Sequence, residues 1–133
     1  MGLGAYEAAD LAASLRASLV EQGESLVFET VFSDPVGQKV RELEEIGRRG
    51  VRVVVVFIRI DSTETSKQRV AMLGMQGGHD VPDDKLETRF TRTMANLDRA
   101  ISTLPVVVVF DNTDLARPFR LEAIYRRGRR IGP

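Results

Sequence analysis

The residues with most chemical potential lie between Arg69 and Leu97, in the stretch RVAMLGMQGGHDVPDDKLETRFTRTMANL. It holds the only histidine, His79, beside the pair Gly77-Gly78, and the arginines Arg69, Arg89 and Arg92. Cations around a glycine-rich loop suit an anion. Leu86, Phe90, Met94, Leu97 and Ile101 recur at steps of three and four, which predicts one apolar helical stripe. Lys85, Arg89, Arg92, Asn96 and Arg99 form a polar stripe on another face. Asp83 and Asp84 fall in the first turn, where the helix dipole favours negative charge. The glycines from Gly74 onward stop the preceding helix before Pro82. Two readings stay open: a flap closing on an anion, or a solvated basic face beside a core stripe.

Other elements must position these residues. Ala8 to Gln22 reads as a helix closed by Gly23. Ser25 to Thr30, SLVFET, is predicted as a strand bringing Glu29 and Thr30 to its C-terminal end. Asp34 and Pro35 have the types of an N-cap and a first helical residue, and Val36, Val40, Leu43 and Ile46 make one face of the helix that follows. Val51 to Ile60 is a nearly continuous apolar strand, expected to be buried on both faces. Ser62 or Thr63 opens the helix carrying Arg69. Pro105 to Phe110 is a second valine-rich strand, ending at Asp111-Asn112. Phe119 to Ile131 is expected to form a hairpin turning near Arg127-Gly128. This order predicts one α/β domain over residues 1–133, with a parallel sheet and ligands at the strands' C-terminal edge.

Composition narrows the function. The 133 residues carry 19 Lys+Arg and 19 Asp+Glu, so no net charge drives binding to nucleic acid or a membrane surface. Without cysteine and with one histidine, no structural zinc site or other metal site is expected. The start lacks the charge and apolar core of a signal peptide, and no apolar run is long enough to span a bilayer, so a cytoplasmic location is expected.

Several segments in order resemble the zeta-toxin family of P-loop kinases and its predicted ATPase relatives. They are FETVFSDP from Phe28, the pair Arg69-Val70, GGHDVP from Gly77, RFTRTMANL from Arg89 and FDN from Phe110. The resemblance implies a P-loop-kinase-like parallel sheet flanked by helices, with a small C-terminal hairpin. It implies ATP and Mg²⁺ as cofactors, and transfer of phosphate to a UDP-sugar such as UDP-N-acetylglucosamine. It places Glu29 and Thr30 beside the sugar and Arg69, with Arg89 or Arg92, at phosphates. His79 takes a flap-fixing role. An antitoxin is the implied protein partner.

Two features depart from the family pattern. No G-x-x-x-x-G-K-[ST] occurs, so the phosphate-cradling loop, its lysine, the metal-binding hydroxyl and the catalytic-base aspartate are missing. Leu73 stands where relatives often carry an arginine. The sequence therefore reads as an N-terminally truncated kinase domain, inactive alone and with no catalytic residue assigned. A non-catalytic nucleotide-sugar or antitoxin-binding module, or a decayed fragment, is the alternative. Without the missing strand, the strand over Ser25 to Thr30 is expected to pair directly with Val51 to Ile60. Open strand edges would then favour some self-association.

Overall fold

The computed structural model describes Gly2, residues 4–75 and residues 82–133. Among these residues lie α1 (Ala5–Glu21), α2 (Gln38–Arg48), β1 (Val54–Arg59), α3 (Thr63–Met75), α4 (Asp83–Thr103), β2 (Val106–Asp111), β3 (Arg120–Arg126) and β4 (Arg129–Gly132). The strands form one sheet in the order β1-β2-β3-β4. β1 and β2 are parallel, with Val54 opposite Val106 and Arg59 opposite Asp111. β3 and β4 complete the sheet as an antiparallel hairpin. Arg127 and Gly128 both take positive φ at its turn, which gives a two-residue loop the twist of its strands.

The core lies on one face of the sheet. Val107, Val109 and Ala123 turn inward against Val40 of α2 and Leu97, Ala100 and Leu104, which lie on and just past α4. The expected stripe on α4 is the face that packs here. Phe32 joins the same cluster, its ring 6.2 Å from that of Phe57 on β1.

Three expectations fail. Residues 25–30 form no strand and do not close onto β1, so β1 is the edge of the sheet. An extended segment becomes a strand only by sharing its backbone hydrogen bonds with a neighbour. Here Val27 is 99% exposed, and Phe28 is held instead under the Arg16 guanidinium of α1, 4.6 Å from the ring centre. Second, β1 is not covered on both faces. Val54, Val56 and Ile58 remain at least half exposed. Third, α2 begins at Gln38, after Gly37, rather than at Pro35. Asp34 still caps it from further back, accepting the N–H groups of Gln38 and Lys39. Gly37 makes that turn at φ 71°, where a Cβ would lie 3.4 Å from Arg99 Nη1 and 3.5 Å from Asn96 Oδ1. Only glycine accepts such a φ without strain.

Candidate functional site

The structure scatters the expected site residues, and two places hold some of them. The first is a cleft of about 500 Å³ between α1 and α2. Ala13, Ala17 and Val20 of α1, with Phe28, Leu43 and Ile46, give it an apolar lining. Thr30 reaches it, and Arg16, Lys39, Arg41 and Arg49 stand around it together with Glu42 and Glu45. The amphipathic pattern of α2 explains this placement: Val40 turns into the core while Arg41 and Glu42 turn out. Lys39 is 4.0 Å from Glu42, so its charge is partly balanced. A cleft of this kind accepts a flat or apolar group in its depth and an anion at its rim. Glu29 is exposed beside Thr30 and does not line the cleft.

The second place is the C-terminal edge of β1 and β2. Arg69 of α3 donates to the Thr113 carbonyl at 2.7 Å, tying α3 to the loop after β2. Thr113 Oγ1 accepts the Asp61 N–H at 3.0 Å from the loop after β1. Asp111 accepts the Thr113 N–H at 2.8 Å and an Arg120 N–H at 3.1 Å. Those bonds, the ones from Thr113 foremost, hold its carboxyl below the ordinary carboxylate value. Arg89 lines a separate pocket of about 230 Å³ with Arg59, Ser66, Leu86 and Phe90. Arg92 is exposed on α4 and lines neither cavity. Gly77, Gly78 and His79 lie outside the described residues, as does the flap they were expected to form.

One polar residue belongs to neither place. Asn96, expected on the polar stripe with Arg92 and Arg99, is buried. Its amide donates to the carbonyls of Phe32 and Asp34 at 2.8 and 2.9 Å. It therefore locks the segment leading from Thr30 to α2 against α4. Arg99 is likewise committed: it pairs with Glu44 at 3.1 Å, and Thr103 donates to the same carboxylate at 2.8 Å. The Arg99 hydrogen bond, against the opposing effect of burial, holds Glu44 below the ordinary carboxylate value. Sequence reasoning missed the rim cations Arg16, Lys39 and Arg41. No spacing rule brings them together, because the facing of α1 and α2 is a tertiary arrangement. For Asn96 the signal was its step of three from Thr93 and four to Ala100, inside the packed arc.

Among the described residues no three His, Cys, Asp or Glu side chains converge as a metal site. Asp61, the other strand-end carboxylate, accepts from Thr65 at 2.6 Å. With no glycine-rich phosphate loop in the sequence, the residues present do not make up a cradle for a magnesium nucleotide. No described helix is long and apolar enough to cross a membrane.

The family model described as Zeta toxin matches residues 4–122. Comparisons with curated proteins and with solved structures return no match.

Proposed function

The chain belongs to the zeta toxin family, whose members are kinase-like toxins, and on that premise we propose that it carries the acceptor-binding part of such a kinase without transferring phosphate by itself. The acceptor is a UDP-sugar, with UDP-N-acetylglucosamine the representative case. One observation carries this reading: Thr30 opens onto an apolar cleft whose rim has four cations, Arg16, Lys39, Arg41 and Arg49, against two carboxylates, Glu42 and Glu45. A nucleotide-sugar has the matching parts, a base and sugar to fill the cleft and a diphosphate to meet the cations. Glu29, exposed beside Thr30 but not lining the cleft, is assigned to the sugar hydroxyls. Arg69, tied to the loop after β2, is assigned to a phosphate of a nucleotide donor at the strand ends, where positive charge offsets the charge carried by a transferring phosphoryl group. Arg89, in its separate pocket, and Arg92, exposed on α4, are not brought to that place.

ATP and Mg²⁺ remain the donor pair of the family's chemistry. The absence of a phosphate loop from these residues is the reason to expect no turnover. The test is the purified 133-residue chain with labelled ATP, Mg²⁺ and UDP-N-acetylglucosamine. No phosphorylated sugar above the enzyme-free control is expected. Catalytic accumulation of it, abolished by Arg69→Ala, would overturn the reading. An antitoxin is the proposed protein partner, engaging the nucleotide-binding edge.

A further inference from the structure

α4 fastens the unit around α2 at two places, and the two fasteners hold different things. Further along α2, Glu44 accepts from Arg99 at 3.1 Å and from Thr103 at 2.8 Å. Val40 and Leu43 pack the same helix against the core. These contacts hold the body of α2. The segment that leads into it is held by Asn96, which lies one turn before Arg99 on α4. Its amide donates twice, to the carbonyls of Phe32 at 2.8 Å and Asp34 at 2.9 Å.

Residues 32–37 belong to no strand or helix, so their backbone depends on side chains for its hydrogen bonds. Asn96 supplies two of these bonds. The segment also touches α4 at Gly37, where a Cβ would lie 3.5 Å from Asn96 Oδ1. Asp34 then passes the constraint on, because its carboxylate accepts the N–H groups of Gln38 and Lys39. One buried amide is thereby linked to both ends of the turn that opens α2.

Both ends of that turn carry cleft residues. Thr30 lies two positions before Phe32, and Gln38 and Lys39 follow Gly37 directly; all three line the cleft. Asn96 does not line it. The chain from Thr30 to Lys39 would span about 30 Å if extended. How close Thr30 stands to Lys39 therefore depends on what folds residues 32–37 back, and the two bonds from Asn96 act there.

We propose that Asn96 is a positioning residue of the cleft, setting Thr30 against the rim at Gln38 and Lys39 through the Phe32 and Asp34 carbonyls. The inference rests on the acceptor reading above, in which the ligand is a UDP-sugar. Thr30 then meets the sugar and Lys39 the diphosphate. Covalent bonds fix the distance between those two parts of the ligand, so a shift of about 1 Å between the residues that receive them forfeits one contact or the other. The Glu44 fastener has no such role. Its loss leaves Val40 and Leu43 packed and the turn over residues 32–37 in place.

The test compares Asn96→Ala with Glu44→Gln, which weakens the other fastener. The chain has no cysteine, so spin labels on Val27→Cys and Arg48→Cys, both exposed, report the segment before the turn against α2. Without ligand, the distance distribution should broaden in Asn96→Ala and stay as narrow as the unmodified one in Glu44→Gln. Calorimetric titration with UDP-N-acetylglucosamine should then give a Kd raised at least tenfold by Asn96→Ala and changed less than twofold by Glu44→Gln, with circular dichroism showing both folded. Asn96→Ser keeps one donor on a shorter arm; it should fall between the two and replaces the alanine variant if that does not fold. A distribution that the Asn96 substitutions leave unchanged overturns the proposal whether or not the sugar nucleotide binds. Equal losses of affinity in the Asn96 and Glu44 variants overturn it too, because both would then act by loosening α2 as a whole. Absence of binding by the unmodified chain overturns the acceptor reading, and the role of Asn96 in it.

Discussion

At the scale of single residues, the largest structural burden falls on side chains that sequence spacing had assigned to solvent. Asn96 satisfies two backbone carbonyls at once, and the fixed position of Phe32 and Asp34 depends on it. Asn96→Ala is expected to cost about 1–3 kcal/mol, the range for leaving buried polar groups unpaired. Urea unfolding measures it, and an unchanged midpoint would mean that water replaces the amide. The carboxylates predict a pH dependence. Asp34 and Glu44 both have folded-state values below their ordinary ones. For Asp34, burial opposes ionisation but the backbone N–H groups of Gln38 and Lys39 outweigh it. For Glu44 the hydrogen bond from Arg99 dominates. A depressed value means that the stabilisation is full above the unfolded-state pKa and is lost as pH falls through the folded-state one. Stability should therefore decline from about pH 4.5 downward, starting near the ordinary glutamate value. Glu44→Gln should flatten the upper part of that decline, read from unfolding midpoints across the range. A decline identical to that of the unmodified protein would remove Glu44 from the acid response.

At the scale of elements, periodicity was a good guide wherever a side chain faces the core. The stripe on α4 and the valines of β2 were legible because burial selects residue type at each period. The hairpin was legible too, since Arg127-Gly128 interrupts an apolar alternation. Residues 25–30 misled for a physical reason: SLVFET has the composition of a strand, but strand formation depends on a neighbour that composition does not specify. Burial on both faces of β1 was over-read from its valines for the same reason. The contrast is measurable. Leu97→Ala, at a 2% exposed position, should cost on the order of 2–5 kcal/mol, whereas Val27→Ala, at 99% exposure, should stay within about 0.5 kcal/mol. Comparable losses for the two would mean that residues 25–30 are packed in solution. The cleft was not legible, since Thr30 was expected at the strands' C-terminal edge and the rim cations come from helix faces whose mutual orientation no spacing rule gives.

At the scale of the whole molecule, a chain of the zeta toxin family presents an apolar cleft with four cations and two carboxylates at its rim, and Arg69 tied to the loop after β2, with no phosphate loop in its sequence. Binding and chemistry are thereby separable. On the proposed reading Arg69 serves a donor, so its loss should leave acceptor affinity nearly unchanged, and the rim cations serve the acceptor, so their loss should not. The most direct measurement is calorimetric titration of the 133-residue chain with UDP-N-acetylglucosamine, in the absence of ATP. Saturable one-site binding is expected, weakened at least tenfold by the combined Lys39→Ala and Arg41→Ala substitutions and little altered by Arg89→Ala. No heat of binding up to millimolar ligand, or binding that the rim substitutions leave intact, would contradict the assignment of this cleft to the acceptor.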